Sequence, residues 1–223
     1  GNMDEKQPLW TLQTPVITSP YINVSWHRKN MGKHVTLLTS RSIYVDLKPH
    51  FAASARPNAQ GERLARNTDE ITLLYEGIMS DIGFTSGRHL FAFMWPRDQR
   101  YSSDGYLAFG LGYPSIDLRG DCELLLGSNR KSMAFNVIQN ELYFNYAKIS
   151  AYPRRKPKDF CVPTLFYMYM DLDEGRLSFG SETEYWGAAF DFKNMRRHQN
   201  KPLHVMASFR AIRGKIMMFY KGQ

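Results

Sequence analysis

"YMDLDEGRLSF", Tyr169 to Phe179, is the stretch on which the reading of this chain turns. Asp173, Glu174 and Gly175 stand between two runs rich in apolar and aromatic residues. A glycine supplies the positive φ that a short hairpin loop needs, and flanking acids favour the turn. Alternation after the turn puts Leu177 and Phe179 on one face and Ser178 on the other. The segment therefore predicts two antiparallel strands joined tightly. Asp171, Asp173 and Glu174 also invite a reading as an acid pair or a calcium loop, but hairpin chemistry explains them more simply.

The same texture continues outward in both directions. Apolar or alternating runs broken by turn residues occupy 21–27, 34–40, 42–48, 70–79, 89–95, 105–112, 132–137, 141–145, 164–172, 176–180, 185–190, 203–209 and 214–220. They are rich in β-branched and aromatic residues and carry turn signals at the intervals of an antiparallel sandwich. No long stretch holds the i, i+3, i+4, i+7 pattern of an amphipathic helix, and no βαβ rhythm appears. The expected fold is all-β, an antiparallel two-sheet sandwich. Residues 1–20 carry three prolines and read as a tail or strap, with a single domain over 21–223. Residues 53–70 read as an exposed loop.

Composition narrows the functional classes. The 223 residues are 43% hydrophobic and 14% aromatic, enough for a substantial core. No run approaches the ~18 uncharged apolar residues of a membrane span, so no membrane role is expected. Cys122 and Cys161 lack CxxC spacing and read as reduced thiols of a cytoplasmic protein, with the nucleus as the alternative. The formal charge of +8 favours acidic partners. Its basic residues are dispersed, however, and "YPRRKPKDF" (152–160) reads as a solvated loop, so nucleic-acid binding is not expected.

Catalytic constellations are missing from the pattern. None of the six histidines lies in an HExxH-like arrangement or at metal-ligand spacing to a cysteine. There is neither a G-x-S-x-G elbow nor a P-loop, and "GLGYPS" (110–115) lacks the third glycine of a dinucleotide fingerprint. It reads better as a strand end. The expectation is a binding module and not an enzyme, with no cofactor and no metal. Eleven Met, fourteen Phe and thirteen Tyr sit mostly in strand runs, where core packing is their ordinary use.

Several segments together resemble the SPRY domain, and within it the branch found in SPRY-domain SOCS-box proteins. They are "DIGFTSGRHLFAFMW" (81–95), "LLLGSNRKSMAFNVIQNELYFN" (124–145), "AYPRRKPKDFCVPTLFYMYMDLDEGRLSF" (151–179), "YWGAAF" (185–190) and "PLHVMASFRAIRGKIMMFYKG" (202–222). The resemblance implies a bent β-sandwich of the concanavalin-like jelly-roll type. Its loops would form a shallow pocket for a short peptide of a partner protein. In that family the domain selects substrates for a cullin-RING ubiquitin ligase, recruited here through regions outside this chain. A scaffold or ligand-sensing module of the same fold is the alternative, and a monomer is expected.

Carried over position by position, the resemblance implies a pocket containing Leu125 and Ser128, with Gly127 and Asn129 shaping the turn. Phe209, Arg210 and Ala211 fall where the family has Val-Trp-Gly, and Cys122 where it has a pocket tyrosine. "ARPNAQ" (55–60) would offer Pro57 and Ala59. Met133 and Phe135 are expected to start a core strand. Replacing Trp and Tyr by Arg210 and Cys122 removes aromatic anchors of the kind that dominate interfaces, each on the order of 2 kcal/mol. Arginine instead favours a carboxylate. An acidic peptide is therefore expected, in place of the family's Asn-rich one.

Overall fold

The computed structural model of the chain describes residues 6–12, 23–47, 50–51, 71–72, 75–96, 105–119, 126–127, 129–145, 147–198 and 200–222. In chain order the strands are β1 (Trp26–Met31), β2 (Val35–Leu37), β3 (Ser42–Asp46), β4 (His50–Phe51), β5 (Ile71–Thr72), β6 (Glu76–Phe84), β7 (Arg88–Met94) and β8 (Tyr106–Gly112). They continue as β9 (Ser132–Asn136), β10 (Glu141–Phe144), β11 (Ala147–Ala151), β12 (Leu165–Asp171), β13 (Arg176–Gly180), β14 (Tyr185–Asp191), β15 (Leu203–Arg210) and β16 (Arg213–Gly222). Helix α1 (Lys193–His198) lies between β14 and β15. None of the described helices is long and apolar enough to cross a membrane.

Two antiparallel seven-stranded sheets make the sandwich. The first runs β1-β6-β15-β8-β9-β10-β11 and the second β14-β13-β12-β7-β16-β3-β2. Side chains alternate across each strand, so one half of every strand faces the other sheet. Aromatic rings meet there: Phe109 of the first sheet lies 4.5 Å from Phe93 and 5.2 Å from Phe166 of the second. Phe135 lies 4.9 Å from Phe179. Each fully buried ring contributes roughly 1.5–3 kcal/mol over an exposed one. Met133 and Phe135 belong to this core, as the sequence predicts.

The hairpin at 169–179 forms as its residues dictate. Asp171 faces Arg176 across the turn and Gly175 takes φ +67°. The Asp171 carboxylate accepts the Glu174 amide at 3.0 Å and the Arg88 Nε at 3.2 Å. Leu177 and Phe179 enter the core. Ser178 lies on the opposite face yet is also buried, in a small recess it shares with Trp10 and Arg88. The Trp10 ring packs edge-on against Tyr169 at 5.8 Å, so the short 3-10 turn Leu9–Thr11 lies against the outside of the second sheet.

Three local features differ from the sequence expectation. The run at 21–27 becomes a strand only from Trp26. Strand β11, "AKISA", pairs with β10 alone, and helix α1, "KNMRRH", has only six residues. Neither is long enough to show a periodicity. Residues 53–70, expected as a loop, lie outside the described residues.

The first sheet is apolar on its outer face as well. Tyr75, Met79, Tyr106, Ala108, Ala134 and Met206 form a second buried cluster with Ile116, Leu118 and Leu126. Residues after β8 fold back over the sheet, and the Leu118 carbonyl accepts the Gly77 amide at 3.0 Å. Leu126 of that layer directly precedes Gly127, one of the expected pocket residues.

Candidate functional site

Register assembles the site. Arg210, last residue of β15, pairs with Tyr106, first residue of β8, and Phe209 pairs with Glu76 on the other side. Tyr75 precedes Glu76, so Tyr75, Arg210 and Tyr106 stand side by side on the outer face. The Arg210 guanidinium lies over the Tyr75 ring, and Tyr75 and Tyr106 meet edge to face at 5.1 Å. Tyr143, outward on β10, donates to the Glu141 carboxylate.

The charges and donors follow from burial. Burial is the main cause that pushes the Tyr106 phenol far up, reinforced by Tyr75 and Tyr143 and opposed by Arg210. The same holds for Tyr143, where burial leads and the Glu141 carboxylate adds to it. Both phenols stay protonated at physiological pH. Among the described residues, the buried Tyr106 hydroxyl has no hydrogen-bond partner, and neither has the Ser208 hydroxyl two residues before Arg210. A buried donor left unsatisfied costs about 1–3 kcal/mol. The arrangement sets a guanidinium among neutral phenols, and a guanidinium suits carbonyl or carboxylate groups.

The turn opposite is built by Gly127. Its φ is +78°, its amide donates to the Ser132 hydroxyl at 2.8 Å, and a Cβ there would come within 2.7 Å of the Tyr143 Cβ and carbonyl. Asn129 closes the turn by accepting the Lys131 amide at 2.8 Å. Gly127 and Asn129 therefore sit beside the tyrosine–arginine group. Ala211, with φ +49°, is buried and turns the chain just after Arg210.

The remaining sequence-predicted positions divide in two. Phe209 is fully buried in the inter-sheet core, because neighbours along a strand point to opposite faces. It reaches the site only through its backbone. Pro57, Ala59, Cys122, Leu125 and Ser128 lie outside the described residues. Sequence reasoning missed Tyr75, Tyr106 and Tyr143. Alternation in "GYLAFGLG" could have set Tyr106 with Ala108 and Gly110 opposite Leu107, Phe109 and Leu111, but nothing local joins the three tyrosines. Among the described residues, no three His, Cys, Asp or Glu side chains are grouped to hold a metal.

No family model matches the chain. It is 31% identical over 118 residues to Protein gustavus of Drosophila melanogaster, covering 51% of this chain and 41% of that protein. It is 28% identical over 120 residues to SPRY domain-containing SOCS box protein 1 of Homo sapiens, covering 52% and 43%. F-box/SPRY domain-containing protein 1 of Drosophila willistoni is 29% identical over 157 residues, covering 68% and 53%. Among solved structures, the TRIM65 PSpry domain superposes with a TM-score of 0.54 at 17% identity, covering 91% of this chain and 90% of that one. The SPRY domain of human HERC1 gives 0.56 at 10% identity, covering 86% and 96%.

The chain has the SPRY fold, and its sequence is similar to SPRY proteins. The structural likenesses speak for the fold, and the sequence likenesses for SPRY relatives. The chain spans about half the length of the curated relatives it matches or less. Within this SPRY sandwich, the loop end of the first sheet carries the tyrosine–arginine group beside the Gly127 turn.

Proposed function

We propose that this SPRY domain is a protein-interaction module that takes a short segment of a partner protein at the loop end of its first sheet. It would serve as a substrate-recognition domain for a cullin-RING ubiquitin ligase. The observation that carries the reading is Arg210, flanked by Tyr75 and Tyr106, with the Gly127 turn packed against the neighbouring Tyr143. The resemblance implies a peptide pocket that includes Gly127, Asn129, Phe209, Arg210 and Ala211, with Pro57, Ala59, Cys122, Leu125 and Ser128 completing it. Relatives that join the domain to a SOCS box or an F-box support the ligase link.

The chemistry of the rim narrows the ligand. A guanidinium is a planar fork of donors whose geometry suits a carboxylate or a backbone carbonyl. The preferred segment is therefore acidic, and the chain's +8 charge steers such segments toward it. Affinity capture with the wild type beside an Arg210→Ala, Ser128→Ala double variant tests the reading. Partners lost by the variant define the site; an unchanged set of partners would place it elsewhere.

A further inference from the structure

A cavity of about 690 Å³ opens at the opposite face of β10 from Tyr143. Met133 of β9 and Phe144 of β10 are cross-strand partners on the inner side of the first sheet. Ala189, Phe190 and Phe192 face them from β14 and the residue after it, and Met195 of α1 leans over the gap. The cavity thus lies between β9 and β10 of the first sheet and β14 of the second, with α1 beside it. Met133, Phe190 and Phe192 are buried, whereas Phe144 and Met195 are half-buried, so an apolar floor leads to an apolar throat. The volume falls in the range of sites that enclose small ligands.

The polar groups of the lining are Arg130, Asn145, Asp191 and Asn194, and further cations stand on the neighbouring turn and helix. Arg130 is exposed there, and among the described residues it makes no ion pair or hydrogen bond. Asn145 and Asn194 add amides. Asp191 is the one acid of the lining, and it already accepts the Lys193 amide at 3.2 Å. Lys131, Lys193 and Arg197 stand exposed on the neighbouring turn and helix, with Glu174 3.5 Å from the Lys193 ammonium. An apolar chamber with a free guanidinium at its entrance matches one ligand shape: a hydrocarbon tail ending in an anion.

We propose that this cavity binds a medium-chain aliphatic carboxylate, the tail between the sheets and the carboxylate on Arg130. Methionine and phenylalanine walls adapt to a flexible tail. Binding there is independent of the peptide site, because inward Phe144 and outward Tyr143 divide β10 between the two.

Isothermal titration calorimetry with octanoate, decanoate, decanol and decyltrimethylammonium tests this on the whole chain. Decanoate binds, and tighter than octanoate by roughly tenfold, from two further buried methylenes. The exposed Arg130→Glu change weakens decanoate roughly fivefold to tenfold and leaves decanol unaffected. Met195→Trp, which fills the throat, abolishes both, with the melting temperature confirming that it folds. Arg210→Ala binds decanoate like the wild type. No heat with decanoate, equal binding of the cationic amphiphile, or an affinity indifferent to Arg130→Glu overturns the proposal. Loss of decanoate in Arg210→Ala overturns the separateness of the two sites.

Discussion

The Arg210 guanidinium carbon lies 4.8 Å from the centre of the Tyr75 ring, and its Nη1 donates to the Tyr75 hydroxyl at 2.5 Å. Two aromatic neighbours thus fix a cation at the position where the family resemblance places an aromatic anchor. Losing such an anchor costs on the order of 2 kcal/mol, about thirtyfold in affinity. An Asp-Ile-Asn-Asn-Asn peptide is accordingly expected to bind more weakly than micromolar in calorimetry. Micromolar or tighter binding would show that Arg210 does not set the preference.

Gly127 tests whether the turn and Tyr143 act as one unit. Alanine at φ +78° is strained, and its Cβ has no room against the Tyr143 backbone and Cβ. Gly127→Ala should cost about 1–3 kcal/mol in urea unfolding. It should also reduce capture of whichever partners Arg210→Ala loses. Unchanged stability would mean that the turn shifts freely away from Tyr143.

Local chemistry made some of this readable in advance. Gly175 announced the β12–β13 hairpin because a tight turn demands a positive φ there. Leu107, Phe109 and Leu111 announced β8 because large apolar residues alternate with Ala108, Gly110 and Gly112. Ala108 lies in one cluster with Ile116, Leu118 and Leu126, a layer that no periodicity foretells. Strand β11 and helix α1 were too short to leave a pattern. At the site, Gly127, Asn129 and Arg210 could be named by position, but Tyr75 and Arg210 are 135 residues apart. Only strand register joins them. Phe209 was named beside Arg210 although strand alternation sends its ring into the core.

Two histidines give the fold a direction in pH. His89 Nε2 donates to the Ser86 carbonyl at 2.8 Å, leaving Nδ1 to accept the Tyr220 hydroxyl at 2.9 Å. His204 Nδ1 donates to the Ser80 carbonyl at 2.8 Å. Burial, the largest cause in both, lowers their pKa values against the opposing backbone hydrogen bonds. The unfolded chain then takes up protons first, as pH falls through about 6.5. Stability is full above that value and declines below it, toward the folded-state pKa values. Urea unfolding from pH 7.5 down to pH 5 should show this decline, and a His89→Gln, His204→Gln variant should show a shallower one. An equal slope in both proteins would assign the acid sensitivity to other groups.

Tyr152 provides the sharpest test of how the second sheet is fastened. Its buried hydroxyl donates to the Gly187 carbonyl at 2.6 Å and accepts the Phe179 amide at 3.1 Å, bridging β14 and β13. Burial, outweighing that amide, holds the phenol well above its ordinary pKa, so it remains a donor. Tyr152→Phe keeps the ring against Phe135, 4.9 Å away, and removes only the hydroxyl. The orphaned amide and carbonyl should cost about 1–3 kcal/mol. Tyr44→Phe, on the exposed face of β3, should stay within about 0.5 kcal/mol of the wild type. Equal effects of the two changes would mean that water replaces the Tyr152 hydroxyl, and that β13 and β14 hold together through their ladder and ring packing alone.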